Sequence, residues 1–450
     1  MKKIFSRYTF KITLLLACVL PIAAMAQKEY YGRPSYWRAY DQRGINVFET
    51  SKTPDTMSYD GARVRFGAGF TQQYQSLKHE NKTALDNTTT NRLYPLQSGF
   101  MTAQANLFMD IQLADGIRLN VTSYMSSRHH NETWVKGGYI QFDKLPFKGK
   151  FWTSLMEIAT IKVGHMEINY GDAHFRRSDG GQTIYNAFMD NLIVDDFATE
   201  IGGEIYLQKN GLFGMVGITN GMIKGNVDSS YKTPVDDNIK RSPSIYLKGG
   251  IDKTIGDIAR VRVSGSYYHN GSNAGSGLTL FSGDRTGSNY QNVMEKYAVG
   301  TTKPAGDAIA FSGRLNAANF KGKVDAIMLN GFLKVMGLEL FGTYETAKGR
   351  SKTEVLSRKF NQLSGDVVYR FGKEENLFVG ARYNTVKGQL AVATTDIKVD
   401  RTALAAGWFV TKNVLMKGEY VIQNYKNFAT TDYRSGGKFK GFVIEAVVGF

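Results

Sequence analysis

"GFVIEAVVGF" occupies residues 441–450. Phe442, Ile444, Ala446, Val448 and Phe450 fall on one side of an extended strand, with Gly441, Val443, Glu445, Val447 and Gly449 on the other. Loose chain ends are usually polar, so an end that is apolar at every second residue reads as a docked strand. The pattern recurs upstream. In "AQANLFMDIQL" (103–113), Ala103, Ala105, Leu107, Met109, Ile111 and Leu113 alternate with Gln104, Asn106, Asp110 and Gln112. After "ADG" the alternation resumes at Ile117, Leu119 and Val121, which marks a hairpin with a tight Gly-containing turn.

Working back from Phe450, this reading gives strands near 438–450, 413–426, 397–411, 375–388, 360–372, 338–349, 323–335 and 258–269. It continues with 243–254, 211–222, 198–208, 158–169, 133–143, 116–128, 101–113 and 61–77, sixteen in all. Short connections near 114, 209, 256, 336, 373 and 412 alternate with long ones such as 170–197, 223–242 and 270–322. The 270–322 connection could hold one more hairpin, which would make eighteen strands. The exceptions are 144–157, long on the short side, and 129–132, short on the long side. Segments of this length suit a tilted membrane crossing of about 9–11 residues. Only closure satisfies the backbone of such strands in lipid. The expected fold is all-β, a transmembrane antiparallel barrel with tight turns in the periplasm and long loops outside. Phe142, Tyr344, Phe371, Tyr383, Trp408, Tyr420, Phe442 and Phe450 stand near segment ends, where interfacial girdles belong.

Composition agrees. The chain has 48 Gly, 25 Tyr, 27 Phe and only 8 Pro, which favours β structure over helix. At the start, "MKKIFSRYTFKITLLLACVLPIAAMAQ" has a basic head, an apolar run and a small-x-small site at Ala24-Met25-Ala26. It is expected to be a secretory signal, 1–26, cleaved after Ala26 and carrying away the single cysteine, Cys18. Cys18 in "LLAC" would fit lipoprotein processing, but the residues after it stay apolar where a polar tether would begin. The formal charge of +16 in an exported chain points to anionic lipid or anionic solutes, not nucleic acid.

The stretch "IKVGHMEINYGDAHFRRSDGG", with "FATEIGGEIYLQKNGLFGMVGITNG" after it, resembles the phosphate-selective porin O/P family and its Bacteroidetes-type relatives. Gly164, Gly171, Gly202 and Asn220-Gly221 occupy the family's places over about sixty residues. Asn169-Tyr170 stands where Pro-Phe is usual. The resemblance therefore implies the porin class, not phosphate selectivity. It implies an outer-membrane porin for passive diffusion of small hydrophilic solutes in a Gram-negative envelope. It also implies that Phe450 acts as the C-terminal signal read by the barrel assembly machinery. Residues 170–197 would be the third long loop, folded inward as a constriction bearing Asp172, His174, Arg176, Arg177, Asp179 and Asp190, with Asp195 and Asp196 beside them. The alternative is a solvated outer loop.

With the apolar residues facing lipid, parity turns a second set inward. The cations are Arg63, Arg65, Arg118, Lys248, Arg260, Arg262, Lys334, Arg370, Arg382 and Lys417. The acids are Asp110, Glu200, Glu204, Asp252, Asp366, Glu419 and Glu445. The cationic excess implies a weak anion preference in a water-filled pore, unless the charges pair across the lumen. Parity is ambiguous for Lys162, Glu167 and Arg401.

No H-E-x-x-H, paired cysteine or G-x-S-x-G is present, so neither catalysis, a metal nor a cofactor is expected. Partners expected are outer-membrane lipid and lipopolysaccharide, small solutes, and either further copies in a homotrimer or an accessory protein. The accessory reading, a scaffold for secretion or nutrient uptake, rests on residues 27–60, aromatic-rich, with Pro34 and Pro54 ahead of the first strand. These residues are expected either to plug the barrel or to lie in the periplasm and dock a partner.

Overall fold

The computed structural model describes residues 37–50, 52, 59–82, 92–101, 103–126, 133–179, 181–229, 240–256, 258–273, 277–281, 289–297, 313–315, 320–391, 393 and 395–450. The leader 1–26, the first part of the 27–60 segment with Pro34, and Pro54 and His129-His130 lie outside the described residues.

Sixteen long strands follow in order: β1 (Arg63–Glu80), β2 (Gln104–Ala114), β3 (Ile117–Ser126), β4 (Trp134–Phe142), β5 (Ala159–Glu167), β6 (Thr199–Lys209), β7 (Leu212–Thr219) and β8 (Ser244–Ile255). Then come β9 (Ala259–Asn270), β10 (Lys323–Val335), β11 (Leu338–Arg350), β12 (Arg358–Phe371), β13 (Leu377–Gly388), β14 (Ile397–Thr411), β15 (Val414–Lys426) and β16 (Lys438–Gly449). Each pairs antiparallel with its sequence neighbours, and β1 pairs with β16 from Gly69↔Gly449 to Glu80↔Lys438. A two-residue ladder at Gly99–Phe100 adds to β1 beside Tyr74 and Gln75. Among the described residues of 271–322 no strand occurs, so the barrel has sixteen strands, not eighteen.

The last residue completes the seam. The Ala68 N–H donates to the Phe450 carbonyl at 2.9 Å, and the Phe450 N–H donates to the Ala68 carbonyl at 3.1 Å. On β16, Phe442 and Ile444 are 45% and 47% exposed, whereas Val443 and Glu445, which alternate with them, are 0% and 1% exposed. The same alternation runs along β12, where Leu363, Val367, Tyr369 and Phe371 face out. Tyr344, Tyr383, Trp408 and Tyr420 are also outward and exposed. A continuous apolar exterior on a sheet without an edge suits hydrocarbon and would be costly in water.

Tight turns join the strands at one end. At Asn210-Gly211 both residues have positive φ, 54° and 78°, which matches a hairpin turn to the twist of its strands. The long connection at 144–157 holds a short helix, α1 (Lys150–Met156), with Phe147 and Trp152 packed ring to ring at 5.2 Å.

Deleting Phe450 removes both hydrogen bonds that finish the seam. The expected loss is about 1–3 kcal/mol, read as a lower heat-modifiable folded fraction on semi-native gels. An unchanged fraction would mean the seam closes without it.

Candidate functional site

The inward faces of the strands carry charge, and that charge is paired. Around β1–β4, Arg63 meets Asp60 at 2.5 Å, Arg65 meets Asp110 at 2.5 Å, and Arg118 meets Asp143 at 2.5 Å. Between neighbouring strands from β11 to β16, Arg370 holds Glu339 at 2.8 Å, Arg382 forks onto both oxygens of Asp366 at 2.7 Å, and Lys417 lies 3.2 Å from Glu445. Arg260 forks onto Asp252 at 2.8 and 2.6 Å. Glu200 and Glu204 accept from the hydroxyls of Tyr268 at 2.8 Å and Tyr246 at 2.9 Å. The inward charges therefore face protein at close range, because three further segments enter the barrel.

The first is the described part of the N-terminal segment, which runs round the tight-turn mouth. The Tyr40 hydroxyl donates to Asp110 at 2.9 Å, and the Gln42 N–H donates to the Lys412 carbonyl at 2.9 Å. Asn46 binds Glu339, and its carbonyl accepts from Arg260 at 2.7 Å. Glu49 lies 3.0 Å from Lys248 and 2.7 Å from Arg262. Lys52 then donates to the Asp143 carbonyl at 3.2 Å, and Tyr59 to that of Leu113 at 2.9 Å. From β2 past the β14–β15 turn, β11, β9, β8 and the end of β4, these contacts complete a circuit of the rim.

The second is residues 170–197. Asp172 is gripped by both arms of Arg262 at 2.8 Å and by Lys248 at 2.7 Å, so Glu49, Asp172 and two wall cations form one four-charge cluster. His174 Nε2 lies 2.8 Å from Asn169 Oδ1, and Arg176 reaches Asn46 and Glu339. Arg177 binds Asp179 at 2.6 Å and Asp195 at 2.5 Å. Asp190 receives Arg314 at 2.7 Å and Arg401 at 2.9 Å. The loop backbone touches the wall itself: a Cβ at Gly69 would sit 2.4 Å from the Gly181 carbonyl oxygen. The Glu419 carboxylate accepts from the Met189 N–H at 2.9 Å.

The third comes from the connection between β9 and β10. Tyr290 donates to Glu419 at 2.5 Å, and the Leu315 N–H donates to the Ile193 carbonyl at 2.8 Å. Arg314, in a stretch without periodicity, gave no sequence signal. Lys162 and Arg401, whose parity was ambiguous, both face inward. Glu49, Asn46 and Arg38 were also missed as individual residues, although their segment stood out for its aromatic content.

Two adjoining cavities of about 220 and 180 Å³ remain between the N-terminal segment, the inserted loop and the β3–β6 wall. They share Arg38, Tyr139, Lys162 and Glu167 as lining. Lys162 sits over the rings of Tyr139 and Tyr206 at 5.3 and 4.8 Å, and the indole N–H of Trp37, itself 7% exposed, has no acceptor among the described residues. The space that is left is rich in donors.

Outside the strands, burial and its neighbours push the carboxyls apart. Burial opposes ionisation of Glu49, but Lys248 and Arg262 outweigh it and hold the carboxyl down at about 2. Burial likewise works against Asp195, yet Arg177 and Arg314 keep it below the ordinary range. Burial, then the charge of Asp195, pushes Asp196 up to about 7.

No protein-family model and no curated protein matches the sequence. Solved structures do match in fold. The anion-selective porin of Comamonas acidovorans aligns over 86% of this chain and 100% of its own, with 11% identity and a TM-score of 0.52. The chain has a porin fold. OmpF of Salmonella typhi, solved with daunomycin, covers 88% of this chain and 99% of its own at 11% identity and a TM-score of 0.48. At these identities the porin likeness extends to the backbone, not to the solute.

Asp196 sets a testable pH dependence. A carboxyl whose folded pKa is raised holds a proton that the unfolded chain has lost, so its contribution to stability falls as pH rises from about 4 to about 7. The unfolding temperature in detergent is expected to be lower at pH 8 than at pH 5, and Asp196→Asn is expected to flatten that difference. A slope that survives in the variant would assign it to another group.

Proposed function

We propose that the chain is an outer-membrane porin for small hydrophilic solutes, closed at its tight-turn mouth by its own N-terminal segment and weakly selective for anions. The observation that carries this reading is the closed sheet with an apolar exterior and a charged interior. A soluble protein gains nothing from that inversion, whereas a membrane pore needs both halves of it. The cavities along β3–β6 are the beginning of a path. Arg38, Arg65, Arg118, Lys136, Lys162 and Arg177 on their walls outnumber Glu49, Asp110, Glu167 and Asp179, which favours an anion over a cation there. Glu49 ties the N-terminal segment to the wall by side-chain charge, and no covalent link anchors it there, so the segment can leave without unfolding the barrel. The loop 170–197 acts as the fixed constriction, held by wall contacts on several sides.

A second reading is favoured by the filling of the lumen: the barrel serves as a scaffold, with the N-terminal segment as the part that meets an accessory protein. One experiment separates the two. Single-channel recording in planar bilayers is expected to show a mostly closed wild type and a steadily conducting variant lacking residues 27–58. Glu49→Gln should raise the open fraction in the same direction. In a salt gradient the reversal potential of the deletion variant is expected to carry the sign of anion preference. A deletion that stays silent while losing a co-purifying protein would replace the pore by the scaffold.

A further inference from the structure

Most cations on the walls of the two cavities have a carboxylate of their own. Arg65 has Asp110, Arg118 has Asp143, and Arg177 has both Asp179 and Asp195. Two differ. Among the described residues neither Arg38 nor Lys162 enters an ion pair, and each lines both cavities. Arg38, on the N-terminal segment, donates only to uncharged oxygens, the carbonyls of Gly44 at 3.0 Å and Phe175 at 2.8 Å and the amide of Gln182 at 3.5 Å. Lys162, on β5, has the Tyr206 hydroxyl at 3.5 Å and the rings of Tyr139 and Tyr206 beside it.

A cation withdrawn from water without a counter-charge is costly. Among the described residues Glu167 is the one carboxylate that lines both cavities. It accepts from the Gln182 amide at 3.2 Å. His174, 3.4 Å from Glu167, is held below its ordinary pKa by burial and adds no charge at neutral pH. Two cations against one carboxylate leave the junction of the cavities with a single positive charge. A monoanion balances it, whereas a dianion overshoots and meets Glu167. The junction also offers the hydroxyls of Tyr139 and Thr50, neither with a hydrogen-bond partner among the described residues. Each can donate or accept. A cavity of about 150 Å³ holds one benzene ring, so spaces of about 220 and 180 Å³ each suit one ring-sized molecule. An inorganic anion would answer the charge and leave both hydroxyls unmet. A carboxylate carried on a hydroxylated ring answers both.

We propose that this junction is a binding site for a sugar acid, with Lys162 and the charge of Arg38 drawing the carboxylate and Tyr139 and Thr50 meeting ring hydroxyls. The proposal rests on the porin reading and names the solute class for the same path. Arg38 and Thr50 come from the N-terminal segment, Lys162 and Tyr139 from the wall. The site is therefore complete only while the segment is seated, and a bound sugar acid favours the seated state.

The test titrates the purified full-length barrel, in uncharged detergent, with D-galacturonate and follows the heat by calorimetry. One saturable site per chain is expected, with galactose and inorganic phosphate each bound roughly tenfold more weakly. Lys162→Gln should weaken galacturonate roughly tenfold and leave galactose unchanged, whereas Lys162→Arg should keep most of the affinity. Deleting residues 27–58, which removes Arg38 and Thr50, should also weaken galacturonate. Heat-modifiable mobility on semi-native gels reports whether each variant is folded. If one is not, the three ligands compared on the unaltered protein decide alone. Absence of saturable galacturonate binding would overturn the proposal. So would galactose or phosphate binding as tightly, or a folded Lys162→Gln variant that binds galacturonate like the wild type. Binding in micelles without any conductance in bilayers would keep the site and remove the porin reading. Conductance by the deletion variant, with no binding by the full chain, would keep the porin and remove the site.

Discussion

Hydrocarbon offers no hydrogen-bond partner, so every N–H and C=O of a membrane-spanning sheet must be satisfied by another strand. That requirement places β16 beside β1 and brings the Phe450 backbone into register with Ala68. It also leaves the two faces of the sheet in opposite solvents. The outer face can be apolar along its whole height, and the inner face must deal with whatever charge it carries. Most other features of the molecule answer that second demand.

A buried charge is tolerable when it is paired, and removing one partner from such a pair costs about 3–5 kcal/mol. The lumen shows how the chain meets this condition. Lys248 and Arg262 on adjacent strands would repel each other alone, but Glu49 and Asp172 arrive from two different segments to balance them. Arg177 and Arg314 share Asp195 in the same way. The inserted segments are thus held by charges that match the wall and also by a buried apolar cluster, in which Met189, Ile193 and Val194 of the loop meet Val386, Val399 and Val421 of the wall. Tyr290 against Phe439 at 5.4 Å and Arg382 over Phe188 at 4.2 Å add aromatic packing to the same seats.

The two kinds of insertion differ in how they are tied. The loop 170–197 is anchored at both ends by β5 and β6, and along its length by backbone groups bound to wall side chains, such as Ile193 N–H to Asn384 at 2.7 Å. The N-terminal segment is tied to a strand by the chain only at its β1 end. Its other described attachments are side-chain contacts and a few bonds to its backbone around the rim, such as Gln42 N–H to the Lys412 carbonyl and Arg260 to the Asn46 carbonyl.

How much of this was legible beforehand follows from periodicity. Alternation along 438–450 and its repeats upstream was enough to determine sixteen strands, their order and which residues face lipid, because side chains in a strand change sides at every residue. The same parity turned Arg262, Glu204 and Lys417 inward. It failed at Lys162 and Arg401, whose strands carry apolar residues on both faces. Partners were beyond it: Glu49 precedes the first strand, Arg314 lies in an aperiodic connection, and each meets a wall residue far away in sequence. The sequence by itself determined the cylinder, since that depends on a local rule repeated along the chain. Only the tertiary structure decided what fills the cylinder, since a charge finds its counter-charge by position in space, and loops carry no period from which position can be read.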